Sequence, residues 1–100
     1  AASDVYKRQI HDERRKMHRS LEAMGFRVFS GVANYLLTYL PAESSYSSVG
    51  FIEACRAEGL FVRDAQNMGV HLPNTAVRFA VRSVEENKTM LGIVEAVLAS

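Results

Sequence analysis

Within Thr75–Leu98 the apolar residues change period, from alternate positions to helical spacing, across a short segment that opens with Ser83–Glu86, and this change limits the folds open to the chain. Thr75 to Arg82 alternates. Val77, Phe79 and Val81 point one way, and Ala76, Arg78, Ala80 and Arg82 the other, as in a strand with one buried face. Ser83-Val84-Glu85-Glu86 has the pattern of a capping box, in which the Ser83 hydroxyl accepts the Glu86 amide and Glu86 reaches back. Met90, Leu91, Val94, Val97 and Leu98 then form the buried stripe of a final helix.

The chain before this point supplies the other elements. Ile10, Met17 and Met24 recur every seven residues with Leu21 between them, a helical stripe that Gly25 ends as C-cap, with His11 to Arg19 as its polar face. Phe26 to Phe29 reads as a short strand stopped by Ser30-Gly31. Tyr35 to Leu40 reads as a strand buried on both faces, or nearly so, and ended by Pro41. Ala42 to Ser48 is a serine-rich loop. Val49 to Glu58 is a short helix with Ser47 or Ser48 as cap and Gly59 as stop. Leu60 to Arg63 is a third strand, and Asp64 to Asn74, with Gly69 and Pro73, a long surface loop. The order helix, strand, strand, helix, strand, strand, helix defines an α+β fold, with helices packed on a mixed or antiparallel sheet.

One hundred residues, 48% apolar and with a net charge of +1, make a single ordinary core. The single cysteine, Cys55, excludes an internal disulfide and suggests a reducing, cytoplasmic setting. The most apolar stretch, Val32 to Leu40, is interrupted by Asn34 and Thr38 and is far short of the roughly 20 residues of a membrane helix. Residues 1–20 hold six Lys/Arg against three Asp/Glu, and residues 21–100 six against eight, so the domain lacks the basic footprint of a nucleic-acid binder. Asp4 to Gln9, DVYKRQ, matches a translated sequencing-library transposon end. Residues 1–9 are therefore expected to be an adaptor scar or a fragment edge, and residues 10–99 the domain.

No complete catalytic set is visible. His11 and His18 lie seven apart on one helix face without a third ligand, and His71 stands alone in the loop, so no metal site is expected. Cys55 has no base beside it and fits core packing. Lys7, Lys16 and Lys88 all sit on polar stretches, unlike a desolvated Schiff-base lysine. Arg63 and Arg78 remain. Arg78 has small Ala76 and Ala80 on its own face, which leaves room for an anion to approach, and two guanidinium forks close together would grip a carboxylate or phosphate. Surface arginines, or Arg63 paired with Asp64 or Glu58, would explain the same residues.

Four segments in order carry a resemblance. Gly31-Val32-Ala33-Asn34-Tyr35-Leu36-Leu37 resembles G-x-A-N-[FY]-L-L. Gly59 to Asp64 resembles G-[IL]-x-V-R-D. Val77 to Val81 resembles [IL]-R-[IV]-[AT]-V, and Ser83 to Asn87 the helix start [TS]-x-E-E-N. Together they resemble the C-terminal small domain of fold-type I pyridoxal-phosphate-dependent enzymes of the histidinol-phosphate aminotransferase and threonine-phosphate decarboxylase type, over about residues 10–99. The resemblance implies a homodimeric parent enzyme acting on a phosphorylated amino acid or analogue. In such a parent Arg78 matches the arginine on the substrate's acidic end, and Arg63 its companion near the phosphate. Arg82 and Arg63 to Gly69 lean toward the decarboxylase pattern, with Ala65-Gln66 and Met68 departing from it. The cofactor, pyridoxal 5'-phosphate, would be bound by a large domain outside this chain. The chain alone would then be inactive, and its Ile10–Met17–Leu21–Met24 face would be left partly uncovered, favouring self-association. The competing expectation is a non-catalytic, ferredoxin-like α+β module that binds ligand by itself.

Overall fold

The computed structural model describes residues 2–29, 35–65 and 73–99, with every side chain among them except those of residues 2–7 and 64. The elements are α1 (Ala2–Ala23), β1 (Arg27–Phe29), β2 (Tyr35–Tyr39), α2 (Ser48–Ala57), β3 (Arg63–Asp64), β4 (Ala76–Ala80) and α3 (Val84–Ala99). They follow the expected order. The helix α1 runs without a break across the boundary drawn at residues 9 and 10.

The four strands form one sheet in the order β1-β2-β4-β3, and every neighbouring pair is antiparallel. β2 and β3, joined through α2, flank β4 and so run parallel to each other, a split β-α-β unit. A ferredoxin-like module needs two such units, and the described residues supply one.

Both turns out of a helix use the same backbone device. After α1, Gly25 has φ +103°, its N–H reaches the Glu22 carbonyl at 3.0 Å, and the Phe26 N–H reaches the Leu21 carbonyl at 3.1 Å. After α2, Gly59 has φ +87°, with Gly59 to Arg56 and Leu60 to Cys55 bonds of 2.9 Å each. These are Schellman closures, which satisfy helix-end carbonyls and need a residue free to adopt positive φ. The α2 start is capped by Ser47, whose hydroxyl accepts the Gly50 N–H at 3.2 Å. At α3 the Ser83 hydroxyl accepts the Glu86 N–H at 3.2 Å and donates to Glu86 Oε1 at 3.0 Å, so the reciprocal bond goes through the hydroxyl.

One face of the sheet carries the core. Leu36, Val77 and Phe79 pack with Met17 and Leu21 of α1, Phe51 and Cys55 of α2, and Met90, Val94 and Val97 of α3. Thr38 is also buried there and donates to the Val77 carbonyl at 3.0 Å. The α1 stripe therefore turns inward: Met17 and Leu21 are fully buried in this chain's own core, and only Ile10 and Met24 remain partly exposed. Of the face expected to be left partly uncovered, Met17 and Leu21 are covered within this chain, and the partly exposed positions are Ile10 and Met24. Two strand assignments also change. Leu60 to Val62 is not paired, Phe61 being 77% exposed, and β3 begins at Arg63, where the chain first lies alongside β4. β2 is buried on one face only: Leu36 and Thr38 are inside, while Tyr35, Leu37 and Tyr39 are half-buried. Ser30 to Asn34 and the Gln66–Leu72 portion of the expected loop, His71 included, lie outside the described residues.

A Cβ added at Gly25 would meet the Pro41 Cβ at 3.1 Å in addition to the strain of positive φ, whereas one at Gly92, inside α3, meets nothing within 4 Å. Gly25→Ala should therefore lower the unfolding free energy by about 1–3 kcal/mol. Gly92→Ala should raise it by up to about 1 kcal/mol. Urea denaturation of the two variants checks both signs.

Candidate functional site: an arginine pair on the open face of the sheet

Register places the two arginines together. Arg63 of β3 is directly opposite Arg78 of β4, Arg78 is opposite Leu37 of β2, and Leu37 is opposite Phe29 of β1. One row thus crosses all four strands on the face turned away from the core. Residues opposed in this way have Cβ atoms about 5 Å apart. Arg63 is exposed and Arg78 half-buried. Arg63 makes no ion pair among the described side chains, so pairing with Glu58 does not explain it. The guanidinium carbon of Arg78 lies 5.5 Å from the centroid of the Tyr35 ring, and the residue engages at least one further partner. At the other edge Arg27 stands 5.6 Å over Phe29, which meets Tyr39 edge-on at 4.7 Å. The face therefore combines cations with aromatic rings.

Space beside Arg78 is one-sided. Ala80 is exposed, but Ala76 is fully buried, next to Ala65, whose N–H reaches the Ala76 carbonyl at 3.4 Å. Only the Ala80 end of the row is open, which corrects the expectation of small residues clearing both sides. Two grooves of the described surface lie between α1 and the Ala80–Glu86 segment and between Leu60–Val62 and α3. Neither is lined by Arg63 or Arg78. The pair thus combines one exposed and one half-buried guanidinium on the face turned from the core.

The remaining candidates separate from this pair. Arg82 lies past the end of β4, exposed, 4.0 Å from Glu86 at the start of α3. Lys16 is 70% exposed and pairs with Glu13 at 3.3 Å, and Lys88 is exposed, so neither is desolvated as a Schiff-base lysine must be. The described residues do not fit a pyridoxal-phosphate anchor. His18 meets Glu22 at 3.4 Å, His11 is exposed, and among the described residues no three His, Cys, Asp or Glu side chains could hold a metal. No helix among them is long and apolar enough to cross a membrane. Cys55 is fully buried, and desolvation pushes its thiol up from 9.0 to about 11, the opposite of an activated nucleophile.

Two polar residues hold the strand end in place, Glu13, which belongs to no motif, and Asn87, the last residue of the Ser83–Asn87 segment. Asn87 Oδ1 accepts the Arg82 N–H at 2.8 Å, and Nδ2 donates to the Arg82 carbonyl at 2.9 Å and to Glu13 Oε1 at 3.0 Å. Glu13 and Asn87 are both buried. The signal for them was helical spacing: Glu13 falls between Ile10 and Met17, and Asn87 precedes Met90 and Val94, each on the stripe its helix buries. Tyr35 was visible as an aromatic residue in a strand and as the [FY] position of the Gly31–Leu37 segment. What marks it is its place two residues from the partner of Arg78.

No protein-family model and no curated protein matches the chain. Solved structures do. A histidinol-phosphate aminotransferase from Clostridium acetobutylicum superposes with a TM-score of 0.80 at 28% identity, over 91% of this chain and 27% of that one. A decarboxylase from Sulfurospirillum multivorans gives 0.73 at 24% identity, over 87% and 24%. A protein assigned as an aminotransferase from Burkholderia pseudomallei gives 0.75 at 24%, over 93% and 26%. The chain has the fold of an aminotransferase-like small α+β domain. It spans about a quarter of the length of these proteins.

Two measurements follow. Asn87→Ala leaves a buried carboxylate and a backbone N–H without their partner, and should lower stability by about 2–4 kcal/mol. Glu13→Gln, which keeps an acceptor for Asn87, should lower it by clearly less. For Cys55, unfolding releases above pH 9.0 a proton that the folded chain keeps to about pH 11. Stability should therefore be unaffected by this thiol below that window and fall by about 2–3 kcal/mol as pH rises through it. Urea midpoints across the window, against Cys55→Ala, isolate this slope.

Proposed function

We propose that this chain is the small domain of a pyridoxal-phosphate-dependent aminotransferase or decarboxylase whose substrate is a phosphorylated amino acid or analogue, and that Arg78 and Arg63 hold the substrate's acidic groups. The observation that carries the proposal is the register itself. Two arginines are set opposite one another on adjacent strands, on the face turned from the core, in the positions that the motif resemblance assigns to substrate binding. Like charges so placed disfavour the strand pairing unless something anionic joins them. A phosphate or carboxylate does so with charge-assisted, bidentate bonds. The similarity to aminotransferases and a decarboxylase supports the same reading.

In this role the domain contributes binding and orientation. The open face closes against the cofactor-bearing domain, water is excluded from the arginine pair, and the bonds to the anion strengthen as the surroundings become less polar. When bound, the cofactor supplies the electron sink for the bond broken at the substrate's α-carbon. It is held outside this chain, in accord with the exposed positions of Lys16 and Lys88.

The test is substitution in the enzyme that contains this domain. Removing one partner of a buried charge pair costs about 2–5 kcal/mol, so Arg78→Ala should lower kcat/KM by roughly thirty- to several-thousand-fold. Arg78→Lys should recover part of the loss, because an ammonium cannot reproduce the fork. Cofactor absorbance should be unchanged in both. Near-normal kcat/KM in Arg78→Ala would remove the assigned role.

A further inference from the structure

β3 is an edge strand, and its outer side has no neighbouring strand among the described residues. On its inner side the Ala65 N–H reaches the Ala76 carbonyl. Backbone groups alternate along a strand, so Arg63 and Ala65 turn theirs toward β4, and Val62 and Asp64 turn theirs outward. Exposure alternates in step: Phe61 is 77% exposed, Val62 is buried and Arg63 is exposed. Phe61 is thus a large apolar side chain standing in solvent on the same face as Arg63. Neither Phe61 nor Val62 makes a backbone hydrogen bond, and Arg63 makes no ion pair, among the described residues. An edge with free backbone groups is a template for another strand.

The order of the residues says which strand fits. Two antiparallel copies related by a twofold axis at Val62 set Val62 opposite Val62, and the outward N–H and carbonyl groups of the two residues exchange hydrogen bonds. Phe61 of each copy then stands opposite Arg63 of the other, in the closer, non-hydrogen-bonded kind of pair. Each guanidinium meets an aromatic ring, and the two positive charges are kept apart. An axis at Arg63 would instead set the two guanidinium groups against each other. We infer that this chain pairs with a second copy of itself along the outer edge of β3, Phe61 of each copy against Arg63 of the other, so that two four-stranded sheets join as one. The inference stands apart from the substrate role proposed for Arg63 and Arg78, and Arg78 takes no part in it. The Leu60–Asp64 pairing is far shorter than the roughly 20–30 residues a side of a standard interface, so the dimer is weak and forms at high concentration.

The experiment uses the whole chain. Analytical ultracentrifugation over a dilution series up to about 1 mM should show monomer passing to dimer. Phe61→Lys sets an ammonium opposite Arg63 and should weaken the dimer by about ten- to a hundred-fold. Phe61→Tyr keeps the ring and should keep the dimer. Because Phe61 is exposed, amide spectra of both variants should show the fold of the unsubstituted chain. In a sample mixed from isotope-labelled and unlabelled copies, nuclear Overhauser contacts between chains should join the Phe61 ring to the side-chain methylenes of Arg63. A chain that stays monomeric throughout the series overturns the inference. So does a dimer that Phe61→Lys leaves intact, which would put the contact on another face, such as the Ile10 and Met24 side of α1. A dimer whose contacts between chains join Arg63 to Arg63 overturns it as well.

Discussion

Phe26, Phe51 and Phe79 meet edge to face, with ring centroids 5.6 to 6.3 Å apart, and join the turn after α1, the first turn of α2 and the central strand β4. Such pairs add about 0.5–1.5 kcal/mol each beyond the area they bury. Their larger effect is on register. A one-residue slip of β4 would take Phe79 out of this cluster and turn Arg78 into the core, where an unpaired guanidinium is prohibitively costly. The aromatic cluster on one face of the sheet therefore decides what stands on the other. The arginine pair is a consequence of how the core is packed as much as of the strand that bears it.

A second constraint is polar. Asn87 closes the strand-to-helix turn by bonding both backbone groups of Arg82, and it ties that turn to α1 through Glu13. A buried carboxylate is unfavourable alone, but here it accepts from Asn87 and lies beside Lys16 at the surface. The arrangement fixes where β4 ends and α3 begins more tightly than apolar contacts would, because hydrogen bonds are directional and apolar packing tolerates sliding.

Much of this was legible in the sequence where a local rule applies. The alternation of Val77, Phe79 and Val81, the Ser83–Glu86 cap, the Ser47 cap and the glycines after α1 and α2 each follow from short-range geometry, and each lies where it was expected. The α1 stripe was placed correctly, but its partner was not: periodicity shows that Met17 and Leu21 are buried, without showing against what. Leu60 to Val62 looks like a strand by composition, yet the ladder with β4 begins at Arg63, which no local pattern marks. For the site, the sequence offered Arg63 and Arg78 as a candidate pair. Their direct opposition depends on the register between β4 and β3, which no local pattern encodes.

The position of β4 between β2 and β3 also governs the order in which the chain can assemble. β1 and β2 are made early, but the sheet cannot be completed until β4, about forty residues beyond β2, is available to pair with it, and β3 has no partner at all before then. On a ribosome, the apolar edge of β2 and the inner faces of α1 and α2 emerge first and stay unpaired while the next segment is synthesised. Contacts so distant along the chain slow closure, and unpaired strand edges are where nascent chains stick to one another. The last third of the chain thus acts as the clasp of the domain, and truncation before Ala76 would remove an inner strand of the sheet rather than trim its edge.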